Sequence, residues 1–262
     1  MQQSKLFFMH KLYTDLAHVF QIMYQHFIDY NEEFAYYHAI LQPYHTKTVL
    51  EIGCGTGNIA QRMVANNYQY TGMDISPDML QIAQQQVPNA HFVQADMRHF
   101  NTPNKQQAVL ILGRTISYLL SDQDMFDALK AIYNCLDTNG LLVFDIIDAN
   151  KFIPIIQQQP KVVHTAPYQT DLYIRESTFT LNTQNVWTWD WAATYFVQAP
   201  NQPKQQIATD QSTARAFTAN EISLFLQLTG FNILQQYSRP SYAFDTIVFV
   251  AQKNNTTEQQ KA

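Results

Sequence analysis

Glycine, cysteine and charged residues are all scarce in this 262-residue chain. Charged residues make up 14%, hydrophobic residues 46% and aromatic residues 13%, a composition that excludes a disordered chain. The net charge is −5, from 16 basic and 21 acidic residues, and no run of Lys or Arg occurs. A protein that binds nucleic acid needs a basic face, so this charge balance argues against a nucleic-acid partner.

The two cysteines, Cys54 and Cys135, are too few for a disulfide framework or a four-cysteine zinc site. They indicate a reducing compartment. The eight histidines form no H-E-x-x-H motif and no C-x-x-C motif occurs, so we expect no metal site. The N-terminus lacks the apolar core of a signal peptide, and no apolar run is long enough to span a membrane. We therefore expect a cytoplasmic protein without a membrane partner.

Three of the seven glycines, Gly53, Gly55 and Gly57, fall within five residues of each other. They lie in VLEIGCGTGNIA (49–60), which has the order strand, glycine turn, helix. In a chain so poor in glycine, this cluster indicates a loop whose backbone closely approaches a nucleotide-like ligand. A dinucleotide fingerprint would need glycine where Asn58 stands, so an NAD-dependent oxidoreductase is disfavoured. The chain has no G-x-S-x-G motif and therefore lacks the nucleophile of an α/β-hydrolase.

Apolar runs alternate with helical patterns between residues 48 and 147. The predicted strands are 48–52, 68–73, 91–95, 108–113 and 141–147, and the helices between them are 58–67, 76–86 and 122–136. Continuous apolar strands are typical of parallel sheets that are buried on both faces. Their alternation with helices predicts a doubly wound α/β sheet. Two further helices precede this region, over 10–28 and from a cap at Asn31 to Leu41.

The pattern changes near residue 150. Residues 170–181, 185–198 and 205–214 alternate with period two, which predicts antiparallel strands, and Trp187, Trp189 and Trp191 would share one strand face. A helix capped by Thr218 and two strands close the chain. We expect one domain over 1–262. Its parts would be a helical lid (1–42), a cofactor-binding core (43–150), an antiparallel substrate-side insertion (151–215), and a closing helix with two strands (216–252).

The glycine stretch resembles the cofactor-binding signature of class I S-adenosylmethionine-dependent methyltransferases. The resemblance covers about residues 45–148 and continues in order through GMDISPDML (72–80), VQADMRHF (93–100), AVLILGRTISYLL (108–120) and NGLLVFDI (139–146). It implies a mostly parallel seven-stranded, Rossmann-like sheet and S-adenosylmethionine as the cofactor. Gln107-Ala108 departs from the family, because many members have an acidic residue before the fourth strand.

The side chains at these strand ends suit the parts of that cofactor. Asp74 can accept two ribose hydroxyls, while Ile75 and Met79 can sandwich the adenine. Asp96 and the Met97 N–H can bind the adenine edge, and Glu51 with the Gly53 carbonyl can face the ammonium group. The predicted cofactor-binding residues are Tyr24, Tyr30, Glu51, Gly53, Cys54, Gly55, Asp74, Ile75, Met79, Asp96, Met97, Leu112 and Gly113.

We expect the methyl acceptor at the carboxyl ends of the fourth and fifth strands, under a roof of N-terminal aromatic side chains. Tyr118 and His99 are the candidate catalytic residues, because either could take or relay a proton. Tyr118, Asp148, Arg175 and Arg215 are the predicted acceptor-binding residues, with the arginines suited to a phosphate or carboxylate.

The layout of the chain resembles that of small-molecule N-methyltransferases. It has N-terminal helices, ISYLL after the fourth strand, FDIIDANKF after the fifth strand, and then a β insertion. The small-molecule N-methyltransferases include the dimethyltransferases of nucleotide-linked amino sugars. We therefore expect methyl transfer to a nitrogen or oxygen of a small polar molecule. One alternative function stays open beside the disfavoured oxidoreductase: a non-catalytic S-adenosylmethionine-binding regulatory module, because the fold and the loop do not distinguish it from an enzyme. Assembly as a homodimer also stays open.

Overall fold

The computed structural model describes residues 11–182, 187–241 and 243–254. The strands are β1 (Thr48–Ile52), β2 (Gln69–Asp74), β3 (His91–Gln94), β4 (Gln106–Ile111), β5 (Leu136–Ile147), β6 (Lys161–Tyr168), β7 (Asp171–Leu181), β8 (Thr188–Gln198), β9 (Gln205–Arg215), β10 (Phe231–Arg239) and β11 (Thr246–Lys253). The α-helices are α1 (Ala17–Phe27), α2 (Tyr30–Leu41), α3 (Asn58–Ala65), α4 (Pro77–Gln86), α5 (Asp122–Cys135), α6 (Ala149–Gln158) and α7 (Ala219–Leu228). Short 3₁₀ helices cover Lys11–Tyr13, Gln42–Tyr44 and Thr115–Tyr118.

The larger sheet has seven strands in the order β10-β11-β5-β4-β1-β2-β3. The five strands from β3 to β5 pair in parallel, whereas β11 pairs antiparallel with both β5 and β10. Alternate residues of β4 point to opposite faces. Val109 and Ile111 pack against α5 and α7, and Ala108 and Leu110 pack against α2 and α3. The predicted doubly wound sheet with an antiparallel end is confirmed.

The smaller sheet is antiparallel, with four strands in the order β6-β7-β8-β9. Trp189 and Trp191 of β8 are buried in a core that includes Leu12, Met23 and Phe152. Trp187 has a positive φ of 67° and precedes the strand, so the three tryptophans do not form one strand face. The tryptophans of β8 therefore hold the N-terminal helices and α6 against the smaller sheet.

Two local features differ from the sequence predictions. Helix α6 and strand β6 occupy 149–168, where we expected the antiparallel insertion to begin, and Pro154 lies inside that helix. The cap of α2 is Asp29 and not Asn31, because the Asp29 carboxylate accepts the backbone N–H groups of Asn31 and Glu32. Residues 1–10 of the predicted lid, 183–186 of the insertion and 255–262 lie outside the described residues.

Candidate functional site

A cavity of about 420 Å³ lies at the carboxyl ends of β1, β2, β3 and β4. Its lining combines six separate regions of the sequence. They include Tyr13, Phe20, Tyr24, Tyr30, Glu33, Glu51, Gly53, Cys54, Gly55, Asp74, Ile75, Ser76, Met79, Asp96, Met97, Arg98, Leu112, Gly113, Arg114, Tyr118 and Thr213. Every residue of the predicted cofactor-binding set lines this cavity. Its volume lies within the usual range for small-molecule sites.

The glycine loop forms one wall, and each of its glycines has a positive φ, between 53° and 82°. The backbone N–H groups of Gly53 and Cys54 donate to the Met73 carbonyl at 2.7 and 3.1 Å, which fixes the turn after β1. A Cβ on Gly57 would lie 3.1 Å from the Ala83 Cβ, so this glycine lets α3 pack against α4. A Cβ on Gly55 would approach nothing closer than Phe20, at 4.0 Å, so Gly55 leaves open space beside the loop.

Asp74, at the end of β2, is tied to the glycine loop. One carboxylate oxygen accepts the Gly55 N–H at 2.8 Å and the other accepts the Ser76 N–H at 2.9 Å. Burial raises the pKa of Asp74, and these backbone hydrogen bonds oppose part of the rise. Each carboxylate oxygen can accept a second hydrogen bond. The oriented carboxylate can therefore still bind a pair of hydroxyl groups.

Glu51 is a buried acid in the wall, with only 4% of its surface exposed. Burial raises the pKa of Glu51 to about 8, even though Tyr70 donates a hydrogen bond to it at 2.5 Å. A carboxyl group held in this environment gains most from a ligand that brings a positive charge. The position suits an ammonium group.

Asp96 is bound by a neighbouring arginine. Arg98 donates from Nε and Nη2 to the two carboxylate oxygens at 3.0 and 2.6 Å, and from Nη1 to Asp124 at 2.7 Å. Burial alone would raise the pKa of Asp96, but the hydrogen bonds from Arg98 outweigh it and the pKa is lowered. Asp96 is therefore an oriented anion that can accept from an exocyclic amine.

The N-terminal segment closes the cavity with aromatic side chains. The hydroxyls of Tyr13 and Tyr118 lie 2.5 Å apart, and the ring of Phe20 stacks on Tyr24 with centroids 4.0 Å apart. The Ser76 hydroxyl donates to the Tyr13 carbonyl. The structure thus joins the roof to the loop after β4 and to the segment after β2.

Ser76 and Thr213 line the cavity but were absent from the predicted site. The Ser76-Pro77 pair marks the start of α4, because the serine caps that helix by accepting the Met79 N–H. That signal reveals the cap but not the contact with Tyr13. Thr213 comes from β9, and no pattern in the sequence connects it with the site.

Four predicted residues lie elsewhere in the described fold. His99 is exposed, and Asp148 is the buried cap of α6, accepting the Asn150 N–H at 3.0 Å. Arg215 forms ion pairs with Asp122, at 2.8 Å, and with Glu221. Arg175 is buried behind the roof. None of these four side chains lines the cavity, so the expected contacts between the two arginines and an acceptor have no support from this geometry.

The parts of the chain that the structure describes contain no cluster of three or more His, Cys, Asp or Glu residues that could hold a metal ion. Within the same residues, no helix is both long enough and apolar enough to cross a membrane.

Comparison with known sequences shows that residues 49–140 match the methyltransferase-domain family. The putative methyltransferase YqeM of Bacillus subtilis is 32% identical over 111 residues, which cover 41% of this chain and 45% of that protein. The dTDP-3-amino-3,4,6-trideoxy-alpha-D-glucopyranose N,N-dimethyltransferase of Streptomyces venezuelae is 28% identical over 98 residues, 37% of this chain and 41% of that protein. The chain thus spans less than half the length of these curated relatives.

Solved structures resemble a much larger part of the chain. An S-adenosylmethionine-dependent methyltransferase from Clostridium acetobutylicum superimposes with a TM-score of 0.74 at 17% identity, covering 93% of this chain and 99% of that one. CalS10, an amino pentose methyltransferase from Micromonospora echinaspora with bound S-adenosylmethionine, gives 0.73 at 18% identity, covering 97% and 100%. At such identities the likeness shows the fold. Together with the match over residues 49–140, it confirms the predicted resemblance to the class I S-adenosylmethionine-dependent methyltransferases.

Proposed function

We propose that this protein transfers the methyl group of S-adenosylmethionine to a nitrogen or oxygen of a small polar molecule. The observation that carries the proposal is the composition of one cavity. The glycine loop, Asp74 and Asp96 face a roof that includes Tyr24 and the Tyr13–Tyr118 hydroxyl pair. A cofactor and a compact second molecule could therefore lie side by side, shielded from water.

The residues present fit the cofactor. Asp74 would accept the ribose hydroxyls, and Ile75 and Met79 would flank the adenine. Ile75 is 40% exposed and Met79 only 1%, so Ile75 offers much more accessible surface than Met79. Asp96 and the Met97 N–H would bind the adenine edge. The buried Glu51 carboxyl, whose raised pKa marks a site without a compensating positive charge, supports an ammonium ligand at that end.

When bound, the sulfonium of the cofactor supplies a methyl group that is already activated for in-line displacement. The protein then has to position the acceptor and exclude water. The aromatic roof favours a cationic ligand through the faces of its rings. Tyr118 would accept or relay a proton from the acceptor, and its hydroxyl contact with Tyr13 supports this role. His99 is exposed outside the cavity and is the weaker of the two predicted candidates.

The aromatic roof favours an amine as the acceptor, because the faces of the rings attract a cation. The acidic side chains of the lining are already used: Glu51, Asp74 and Asp96 are assigned to the cofactor, and Glu33 is paired with Arg239. Arg98 is held by two carboxylates, which reduces its attraction for an anionic substrate. The amino-sugar acceptors named for the Streptomyces and Micromonospora relatives are consistent with this choice.

We further propose that the whole chain works as one unit, in which residues 1–42 act as a lid and 151–215 wall the acceptor side. Thr213 lines the cavity, which supports the proposal that residues 151–215 wall the acceptor side. Cys54 and Cys135 are both buried free thiols, which is consistent with a reducing, cytoplasmic compartment.

A substrate screen tests the proposed activity. The protein is incubated with S-adenosylmethionine and a panel of small amines, amino sugars and hydroxylated acids, and release of S-adenosylhomocysteine is measured by mass spectrometry. We expect turnover with at least one amine, and its loss in Asp74→Ala but not in Asp171→Ala, whose aspartate begins β7 away from the cavity. Cofactor binding without turnover across the whole panel would favour the non-catalytic module instead.

A further inference from the structure

Arg175 occupies an unusual position for an arginine. It lies on β7 and is only 5% exposed, yet its side chain does not line the cavity. Its guanidinium instead contacts the back of the roof. Nη1 donates to the Tyr24 hydroxyl at 3.3 Å, and Nη2 lies 3.3 Å from Nδ1 of His164.

Aromatic rings surround the same guanidinium. Its central carbon lies 5.7 Å from the ring centre of Tyr24, 5.8 Å from that of Phe27 and 5.6 Å from that of Trp191. Cation–π attraction offsets part of the cost of burying this charge. An apolar side chain of similar length would fill the space at lower cost, because removal of a charge from water is expensive. Stability therefore does not explain why an arginine stands here.

The hydrogen-bond directions suggest what the arginine does. Burial, with the nearby positive charge of Arg175, lowers the pKa of His164 to about 4, so the imidazole is neutral near pH 7 and Nδ1 can accept from Arg175. A guanidinium can only donate hydrogen bonds. The Tyr24 oxygen must therefore be the acceptor in its contact with Arg175, so this hydrogen bond fixes the hydroxyl end of the Tyr24 ring.

Tyr24 lies between Arg175 and the cofactor end of the cavity. Its ring stacks on Phe20 with centroids 4.0 Å apart, and Phe20 is the side chain that would come nearest to a Cβ on Gly55. Both aromatic residues line the cavity. A change in the orientation of Tyr24 would thus reach the glycine loop through a single stacked ring.

We infer that Arg175 is a positioning residue for the cofactor site: it fixes the side chain of Tyr24 in the cavity wall, and it contacts neither the cofactor nor the methyl acceptor. This role replaces the direct acceptor contact that the sequence suggested for Arg175. The inference deepens the proposed function and rests on its cofactor assignment.

Arg175→Met distinguishes a role in positioning Tyr24 from a role in core packing. It keeps the apolar contacts and removes the donors, so we expect the melting temperature to stay the same or rise. Isothermal titration with S-adenosylmethionine should show a Kd raised about fivefold, the scale of one lost hydrogen bond. Arg215→Met is the matched control, because it removes an equally buried arginine from β9 of the same sheet. That variant loses the ion pairs to Asp122 and Glu221, so we expect a lower melting temperature with a Kd within about twofold of wild type.

Tyr24→Phe completes the test as a double-mutant cycle. This variant alone should raise the Kd by a similar factor, and adding Arg175→Met to it should change the Kd by less than about twofold. Wild-type affinity in Arg175→Met, or the same fivefold loss in the Tyr24→Phe background, would overturn the inference. Failure of the wild-type protein to bind S-adenosylmethionine would instead contradict the proposed function, so the two failures are distinguishable.

Discussion

The carboxylate of Asp74 accepts the backbone N–H of Gly55 at 2.8 Å, which ties the end of β2 to the glycine loop after β1. Its second oxygen accepts from Ser76, whose hydroxyl donates to the carbonyl of Tyr13 in the N-terminal segment. One acid therefore connects the loop, the start of α4 and the roof. The site is organised by hydrogen bonds within the protein itself, which lowers the cost of ordering it around a ligand.

Replacing Asp74 tests its part in cofactor binding. Asp74→Ala removes the acceptor for the ribose hydroxyls and the anchor of the loop, so we expect S-adenosylmethionine binding to weaken by about 1.5–3 kcal/mol, as for hydrogen bonds to a charged group. Isothermal titration measures the change, and Asp78→Ala, in the exposed first turn of α4, is the matched control. Full affinity in the Asp74 variant would remove this residue from the ribose site.

Glu51 should make cofactor binding depend on pH. Burial raises the pKa of Glu51 to about 8, so in the free protein the carboxyl is mostly protonated below that pH. An ammonium ligand favours the ionised form, and binding must then release a proton. We expect the affinity for S-adenosylmethionine to rise between pH 6 and 8, approaching about tenfold per pH unit at the lower end, and then to level off.

Calorimetry in buffers of different ionisation enthalpy measures both the affinity and the proton release. Glu51→Gln should flatten the pH dependence, because the amide does not titrate but can still accept from Tyr70. An equally steep rise in the glutamine variant would show that another group titrates, and Glu51 would lose its assignment to the ammonium.

The glycine loop offers a matched pair of substitutions. Gly57→Ala places a Cβ 3.1 Å from that of Ala83 at a φ of 82°, so we expect a loss of about 2 kcal/mol in the free energy of unfolding. Gly55→Ala carries a similar backbone strain at a φ of 53° but projects into open space. We expect a loss of about 1 kcal/mol in stability and a much larger loss of cofactor affinity.

Chemical denaturation and titration of both variants give the two quantities side by side. We expect the stability loss to be greater at Gly57 and the affinity loss to be greater at Gly55. The reverse order would mean that the ligand approaches the loop from another side.

The N-terminal segment should change its dynamics on cofactor binding. Tyr13, Tyr24 and Tyr30 line the cavity from outside the larger sheet, as a lid would. Hydrogen exchange should show increased protection across residues 11–42 when S-adenosylhomocysteine is added. Helix α7 does not line the cavity and serves as the internal reference. Unchanged exchange in 11–42 alongside saturating ligand would argue against closure.

The sequence predicted best those strands and helices whose bounds are set by neighbouring residues, such as an apolar run, a helix cap or a proline. Strand β1 matches the apolar run 48–52, and α4 begins where Ser76 and Pro77 place it, because a cap and a proline act on their own neighbours. The position of the strand-end residues in the cavity wall was predictable for a similar reason. These residues directly follow parallel strands, whose carboxyl ends meet at one edge of the sheet.

The rest of the site depends on contacts between distant segments. The pairing of Tyr13 with Tyr118 and the position of Thr213 follow from how the smaller sheet packs, and no local pattern encodes that packing. Arg215 is another residue whose contacts the sequence could not predict. A buried Arg215 that pairs with Asp122 and Glu221 looks, in sequence, like an arginine available to a substrate. Ion pairs across the fold are set by tertiary structure alone.

The most direct test of the central claim is isothermal titration of the wild-type protein with S-adenosylmethionine and, separately, with NAD. The loop ends in Asn58 where a dinucleotide fingerprint has glycine, and the acid-rich cavity is unsuited to a pyrophosphate. We predict saturable binding of S-adenosylmethionine at one site per chain and no measurable heat with NAD. Preferential binding of NAD would contradict the account.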